Sequence, residues 1–265
     1  SNPRGDARRN DVSGKPGQKP GFFFARCPGP CAGAMMRAMP TDPRLPEVLL
    51  ALSPVAAVPA ETGWLTPSER DRLGRFGSGP RRAQFLAGHV LARQLAAAFA
   101  GGEPAAWRFH VAQDQRRELR HVDGRRLCLS LSHSAGQVAA AVSDRPVGLD
   151  LEAEPGEREW ADLAARLFAP ATARRITEAA PEAIAARFRE AWALHEARAK
   201  QGGAGFQRAQ VRSLELLPAE PGDAQALAWT LSGGCLALAG WPGLRAGFAA
   251  GGAGAPGPAQ AWRYA

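Results

Sequence analysis

Two short acidic segments, roughly forty residues apart, constrain this chain more than any other feature, because they carry different periodicities. Val147-Gly148-Leu149-Asp150-Leu151-Glu152 alternates apolar and polar residues, as a strand with one buried face does. In Trp192-Ala193-Leu194-His195-Glu196-Ala197-Arg198-Ala199-Lys200, residues Trp192, Glu196 and Lys200 recur every four positions and share one helix face. Asp150 and Glu152 lie on the same strand face, where two carboxylates repel unless a cation or solvent separates them. Read plainly, these are a water-facing edge strand and an exposed helical ion pair of about 0.3–0.5 kcal/mol. Read chemically, Asp150, Glu152 and Glu196 are the oxygen ligands that a hard divalent ion such as Mg²⁺ takes, and Lys200 is a phosphate clamp. Each segment alone leaves both readings open.

The pattern around them predicts an α+β fold, with helices grouped beside antiparallel strands instead of a regular βαβ alternation. Residues 45–58 read as a first strand. Thr66-Pro67-Ser68-Glu69 has the cap, first-turn proline and acidic third position of a helix start, for a helix running to about Phe76. A second helix is predicted over 80–100, with Phe85, Val90, Leu91, Leu95 and Phe99 as its apolar stripe. Strands are expected at 107–111, 128–132, 137–143 and 147–152, with a hairpin at 116–126 and turn chemistry at His133-Ser134-Ala135-Gly136. Helices follow at 157–168, 171–180 and 182–200, the last broken at Gly202-Gly203. Strands are expected at 211–217, 226–231 and 235–239.

The domain reading is a disordered basic extension over 1–44, an N-terminal α+β half over 45–145, a C-terminal half with the metal site over 146–248, and a flexible tail over 249–265. The 265 residues suffice for a proper core. The net charge of +8 suggests nucleic acid, but residues 1–40 hold seven basic residues against two acidic ones, so most of the excess lies in the extension. No nucleic-acid partner is therefore expected. Cys27 and Cys31 lack a second Cys/His pair that would complete a zinc site, and with Cys128 and Cys235 they read as ordinary thiols of a reducing compartment. No apolar run approaches the ~20 residues of a membrane span, and Phe22–Phe24 followed by Arg26 is a poor leader core, so a cytoplasmic location is expected. The chain holds 30 arginines and three lysines, and Lys200 is the only lysine after residue 19. Where a generic cation suffices this chain shows arginine, so position 200 calls for a compact ammonium.

In order along the chain, Arg75-Phe76, Arg81–Arg93 (RRAQFLAGHVLAR), Leu129–Gly136 (LSLSHSAG), Val147–Glu152 (VGLDLE) and Phe188–Gly203 resemble the 4′-phosphopantetheinyl transferase superfamily, in its larger Sfp-like form. The resemblance covers about Leu65 to Phe206. It implies two similar α/β halves related by a pseudo-twofold axis, with the second beginning near Pro146. It also implies transfer of the phosphopantetheine arm of coenzyme A, the co-substrate, to a serine of an apo acyl or peptidyl carrier protein, releasing adenosine 3′,5′-bisphosphate. Asp150, Glu152 and Glu196 then match the magnesium ligands, and Glu152, Glu196 and Lys200 the catalytic set. Lys200 and His133 match residues that contact phosphates of coenzyme A. Arg75, Arg81 or Arg82, and Arg116 fall near nucleotide-binding positions. A monomer is expected.

The chain departs from the family pattern twice. His195 stands where the first lysine of W-x-x-K-E-x-x-x-K is usual, and its charge would depend on pH. Many relatives of this type carry a glutamate base shortly after an R-x-F segment. Here Arg166-Leu167-Phe168 is followed by no carboxylate before Glu178, which leaves Glu152 or a metal-bound water as base. The alternative reading is a non-catalytic module that binds coenzyme A or a carrier protein.

Overall fold

Strand alternation and two long helices organise the molecule, which is given by a computed structural model describing residues 46–77, 79–153, 156, 158–203, 205–249 and 256–265. The expected extension at 1–44 lies outside these, apart from which the chain opens with β1 (Val48–Pro54), α1 (Pro67–Gly74) and α2 (Gly79–Ala100). Four antiparallel strands follow: β2 (Trp107–Val111), β3 (Arg117–His121), β4 (Arg126–Ser134) and β5 (Gln137–Ser143). Next come β6 (Gly148–Ala153), α3 (Trp160–Leu167), α4 (Pro170–Thr177), α5 (Pro181–Gly202) and α6 (Arg208–Ser213). The chain ends with β7 (Leu216–Pro218), β8 (Ala226–Leu231), β9 (Gly234–Ala239), β10 (Ala246–Phe248) and β11 (Gln260–Tyr264).

The fold is mixed α+β with two sheets, in the orders β10-β1-β5-β4-β3-β2 and β6-β9-β8-β11-β7. Alternation along β5 divides its residues between two cores. Ala140 and Val142 face α2, beside Leu91, Leu95 and Trp107. Ala139 and Ala141 face the second sheet, beside Leu149, Leu151, Leu236 and Leu238. On the far side of that sheet, Leu194 and Ala197 of α5 pack on Ala237 and Ala239. The packing order is therefore helix, sheet, sheet, helix. Each fully buried leucine contributes about 1.5–3 kcal/mol. No helix among the described residues is long and apolar enough to cross a membrane.

Three segments differ from the sequence reading. Residues 208–213 turn as α6 before a strand of only three residues, because Val211 is the buried side chain of a six-residue helix. Within the expected flexible tail, Gln260–Tyr264 is a strand paired with β7 and β8. Buried Trp262 decides this: its Nε1 donates to Glu190 Oε1 at 3.1 Å, a partner 72 residues away. Residues 250–255 of the expected tail lie outside the described ones. Ala246–Phe248, from the expected C-terminal half, runs parallel to β1 in the first sheet.

The α1 start forms the expected capping box: Glu69 N–H donates to Thr66 Oγ1 at 3.4 Å and Thr66 N–H to Glu69 Oε2 at 2.7 Å. Glu69 also does more than cap. It is buried, and both its oxygens accept from Nη2 of fully buried Arg93, at 2.9 and 2.8 Å. His89 Nδ1 donates to Oε1 at 2.5 Å. Arg93 in turn donates to the Trp107 and Trp64 carbonyls, so one carboxylate ties α1, α2 and β2 together. Burial raises the Glu69 pKa, but His89, the Thr66 amide and Arg93 outweigh it and hold the carboxyl at about 2. The folded value lies below the ordinary 4.5, so the stabilisation is complete above that pH and is lost as pH falls towards about 2. Glu69→Gln is expected to cost about 3–5 kcal/mol at neutral pH, because it strands buried Arg93. It should also flatten the acid limb of a melting-temperature against pH curve, whereas an unchanged acid limb would remove Glu69 as its source.

Candidate active site

β6 is the edge strand of its sheet, with a backbone partner only in β9, yet Asp150 is just 2% exposed. A strand buried there must satisfy its second row of N–H groups. Three serines of β4 do so. Leu149 N–H donates to Ser130 Oγ at 2.8 Å, Leu151 N–H to Ser132 Oγ at 3.1 Å and Ala153 N–H to Ser134 Oγ at 3.2 Å. Leu129 and Leu131 occupy the intervening positions on the α2 side of β4, so the L-S-L-S-x-S alternation reads out both faces. The serine spacing was visible in the sequence, but only the neighbouring His133 was singled out.

α5 approaches the other side of β6 without room for a side chain at Gly148. A Cβ there would lie 1.8 Å from the Ala197 carbonyl oxygen and 2.5 Å from the Gln201 nitrogen. This contact brings Lys200 over the strand. Its Nζ donates to Asp150 Oδ1 at 2.5 Å, to the Leu149 carbonyl at 3.0 Å and to Ser132 Oγ at 3.2 Å. Ser132 Oγ also donates to Asp150 Oδ1 at 3.0 Å.

Asp150, Glu152 and Glu196 converge as expected, each offering a carboxylate oxygen within 4.8 Å of the other two. Asp150 Oδ2 is buried with no hydrogen-bond partner among the described residues. A buried acceptor without a donor is costly, and a hard cation satisfies it. The donor set of three carboxylates, one with a stranded oxygen, fits such an ion. Lys200 is thus committed to Asp150 in this state, which sequence spacing did not reveal.

The structure gathers fewer of the predicted phosphate-binding residues. His133 is exposed and, by alternation, lies on the opposite face of β4 from Ser132. Arg75, at the end of α1, and Arg81, in the first turn of α2, are exposed, while Arg82 Nη1 donates to the Leu73 carbonyl at 3.2 Å. Arg116 is bound to Asp114 and borders the C-terminal end of α5. Cys128 and Cys235 are free thiols; desolvation raises both pKa values, that of Cys128 to about 11. Cys27 and Cys31 lie outside the described residues.

No model of a protein family matches the chain. A curated protein from Bacillus subtilis, a 4′-phosphopantetheinyl transferase, is 28% identical over 153 residues, which cover 57% of this chain and 63% of that protein. The similarity supports the 4′-phosphopantetheinyl transferase superfamily. The chain spans less than two thirds of this relative's length.

Against the superfamily pattern, His195 does not replace the usual lysine as a cation. It is 4% exposed and stacked on Phe168 with ring centroids 5.5 Å apart. Burial lowers its pKa to about 4, so the ring is neutral near pH 7. The absence of a local carboxylate after Phe168 is also modified by the fold. Glu215, 43 residues beyond Thr172, accepts from Thr172 N–H and hydroxyl, both at 2.8 Å, and from Ala171 N–H at 2.9 Å. Desolvation raises its pKa, but these donors more than offset it and lower the value. Glu215 caps α4 and is a weak base.

Gly148→Ala is expected to push α5 off β6 at a cost of about 1–3 kcal/mol or more, seen as a lower denaturation midpoint. A wild-type midpoint would contradict the close approach. For His195 the folded pKa of about 4 lies below the ordinary 6.5, so its protonation opposes folding and stability is lost as pH falls through that window. An NMR titration should find the imidazole neutral at about pH 6; a charged ring there would refute burial as the dominant influence.

Proposed function

We propose that this chain is a Mg²⁺-dependent 4′-phosphopantetheinyl transferase of the larger, Sfp-like type. Its halves would be 45–145 and 146–248, except that Ala246–Phe248 joins the first sheet and Gln260–Tyr264 the second, related by a pseudo-twofold axis. The matching 22-residue helices α2 and α5, each packed on one sheet, support that symmetry. The observation that carries the reading is the meeting of Asp150, Glu152 and Glu196 around a buried Asp150 Oδ2 that has no partner among the described residues, with Lys200 one helical turn from Glu196.

Asp150, Glu152 and Glu196 would hold the ion. Bound there, Mg²⁺ supplies charge neutralisation to a pyrophosphate. The hydroxyl oxygen of a carrier-protein serine forms a bond to the β-phosphorus of coenzyme A, and the phosphoanhydride bond breaks. Adenosine 3′,5′-bisphosphate leaves with the electron pair. Glu152, a half-buried member of the cluster, takes the hydroxyl proton directly or through water. Lys200 carries the ammonium that offsets charge on the leaving bisphosphate. Arg116, His133 and exposed Arg75, Arg81 and Arg82 supply contacts to the remaining phosphates of coenzyme A. The protein acts as a cytoplasmic monomer on carriers of fatty-acid, polyketide or nonribosomal-peptide systems.

A second reading, a non-catalytic module that binds coenzyme A or a carrier protein, is favoured by neutral, buried His195 and by the commitment of Glu215 to a helix cap. Incubation with coenzyme A, Mg²⁺ and a panel of apo carrier proteins separates the two. Transfer adds one phosphopantetheine to a carrier's mass; coenzyme A binding without transfer on any carrier selects the module. Asp150→Asn and Glu196→Gln are each expected to lower kcat about 100-fold or more while circular dichroism stays native. Retained turnover in either would overturn the metal assignment.

A further inference from the structure

An ammonium group has three N–H donors and no acceptor. Lys200 commits all three within the protein: to Asp150 Oδ1 at 2.5 Å, to the Leu149 carbonyl at 3.0 Å and to Ser132 Oγ at 3.2 Å. Ser132 Oγ is filled as well. It accepts from Lys200 and from Leu151 N–H, and it donates to Asp150 Oδ1. In this arrangement Lys200 keeps no N–H for a phosphate. Its side chain is nonetheless 32% exposed, against 3% for that of Asp150. The lysine has a path to water, whereas the carboxylate is fixed on its strand.

Two cations lay claim to this one carboxylate. Oδ1 holds the ammonium, while buried Oδ2 has no partner among the described residues. Glu152 and Glu196 each bring a carboxylate oxygen within 4.8 Å of one from Asp150. A divalent cation in that cluster lies beside the ammonium, and like charges so close repel, most strongly where little water screens them. Once the divalent cation balances the buried Asp150 charge, the ammonium has less reason to stay. A compact, strongly hydrated charge on a flexible stem regains hydration by leaving.

We propose that the Lys200–Asp150 pair is a latch: a divalent cation entering the cluster opens it, and only the released ammonium can take a phosphate. The inference rests on the metal reading proposed above and gives that reading an order, cation first and phosphate second. It also separates position 200 from the arginines of the chain, because a planar guanidinium does not place three donors around one point as this pocket of acceptors requires.

Lys15 and Lys19 are the only other lysines, so the full chain made with isotopically labelled lysine shows at most three side-chain ammonium signals by NMR. Lys200→Met or Lys200→Arg identifies the signal of residue 200 by its loss. In EDTA that signal is expected to exchange slowly with water, because its three protons are hydrogen-bonded. Excess Mg²⁺ should shift or abolish it in the wild type and leave it in place in Glu196→Gln. Titration with Mn²⁺, followed by electron paramagnetic resonance, should give a Kd about tenfold or more lower for Lys200→Met than for the wild type, since the competing charge is gone. An equal or higher Kd overturns the latch; if Lys200→Met fails to fold, the wild-type spectrum decides. Mn²⁺ binding that needs Glu196 while the Lys200 signal stays put overturns the latch alone. No Mn²⁺ binding, or binding indifferent to Glu196→Gln, overturns the metal reading and the latch together.

Discussion

The three hydrogen bonds from β6 amides to Ser130, Ser132 and Ser134 are the contact on which the site depends. β6 lies where its sheet meets the other, and its outer amides point away from its own partner strand. Hydroxyls can accept these amides where a neighbouring strand's carbonyls would otherwise be needed. Side chains, not a continuous ladder, thus fasten the second sheet to the first. They bring Asp150 beside Ser132, and so set the acid in register with its local partners.

That fastening has an electrostatic consequence. A carboxylate buried to the extent of Asp150 needs a paired charge or strong donors. Lys200 and Ser132 supply them to one oxygen and leave the other without a donor. The close contact at Gly148 is what allows α5 to deliver Lys200 and Glu196 together. Lys200 therefore belongs as much to the structural balance of Asp150 as to any ligand.

Burial accounts for one departure from the family pattern, and hydrogen bonding bears on the other. His195 sits in an apolar environment where a charged ring is disfavoured, so this position lends no cation near pH 7. Glu215 enters the region where a base was missing, but three donors have already claimed it. Among the described residues Glu152 and Glu196 are the half-buried members of the acidic cluster, and Asp150 is its buried one.

Local patterns determined a good deal on their own. Period-two alternation identified β6, turn chemistry marked off β4 and β5, helical spacing identified α2 and α5, and Thr66-Pro67-Ser68-Glu69 identified a helix start. The pairing of Asp150 and Glu152 with Glu196 was legible only through the ordered set of motifs, because each segment alone reads equally well as a water-facing strand or an exposed helical ion pair. Other features were decided only in three dimensions, since their partners are distant in sequence: Arg93 on Glu69, Trp262 on Glu190, Glu215 on α4 and Lys200 on Asp150. Periodicity states which side of an element is buried. It does not state what lies opposite, and for a buried charge the opposite group decides its protonation and its role.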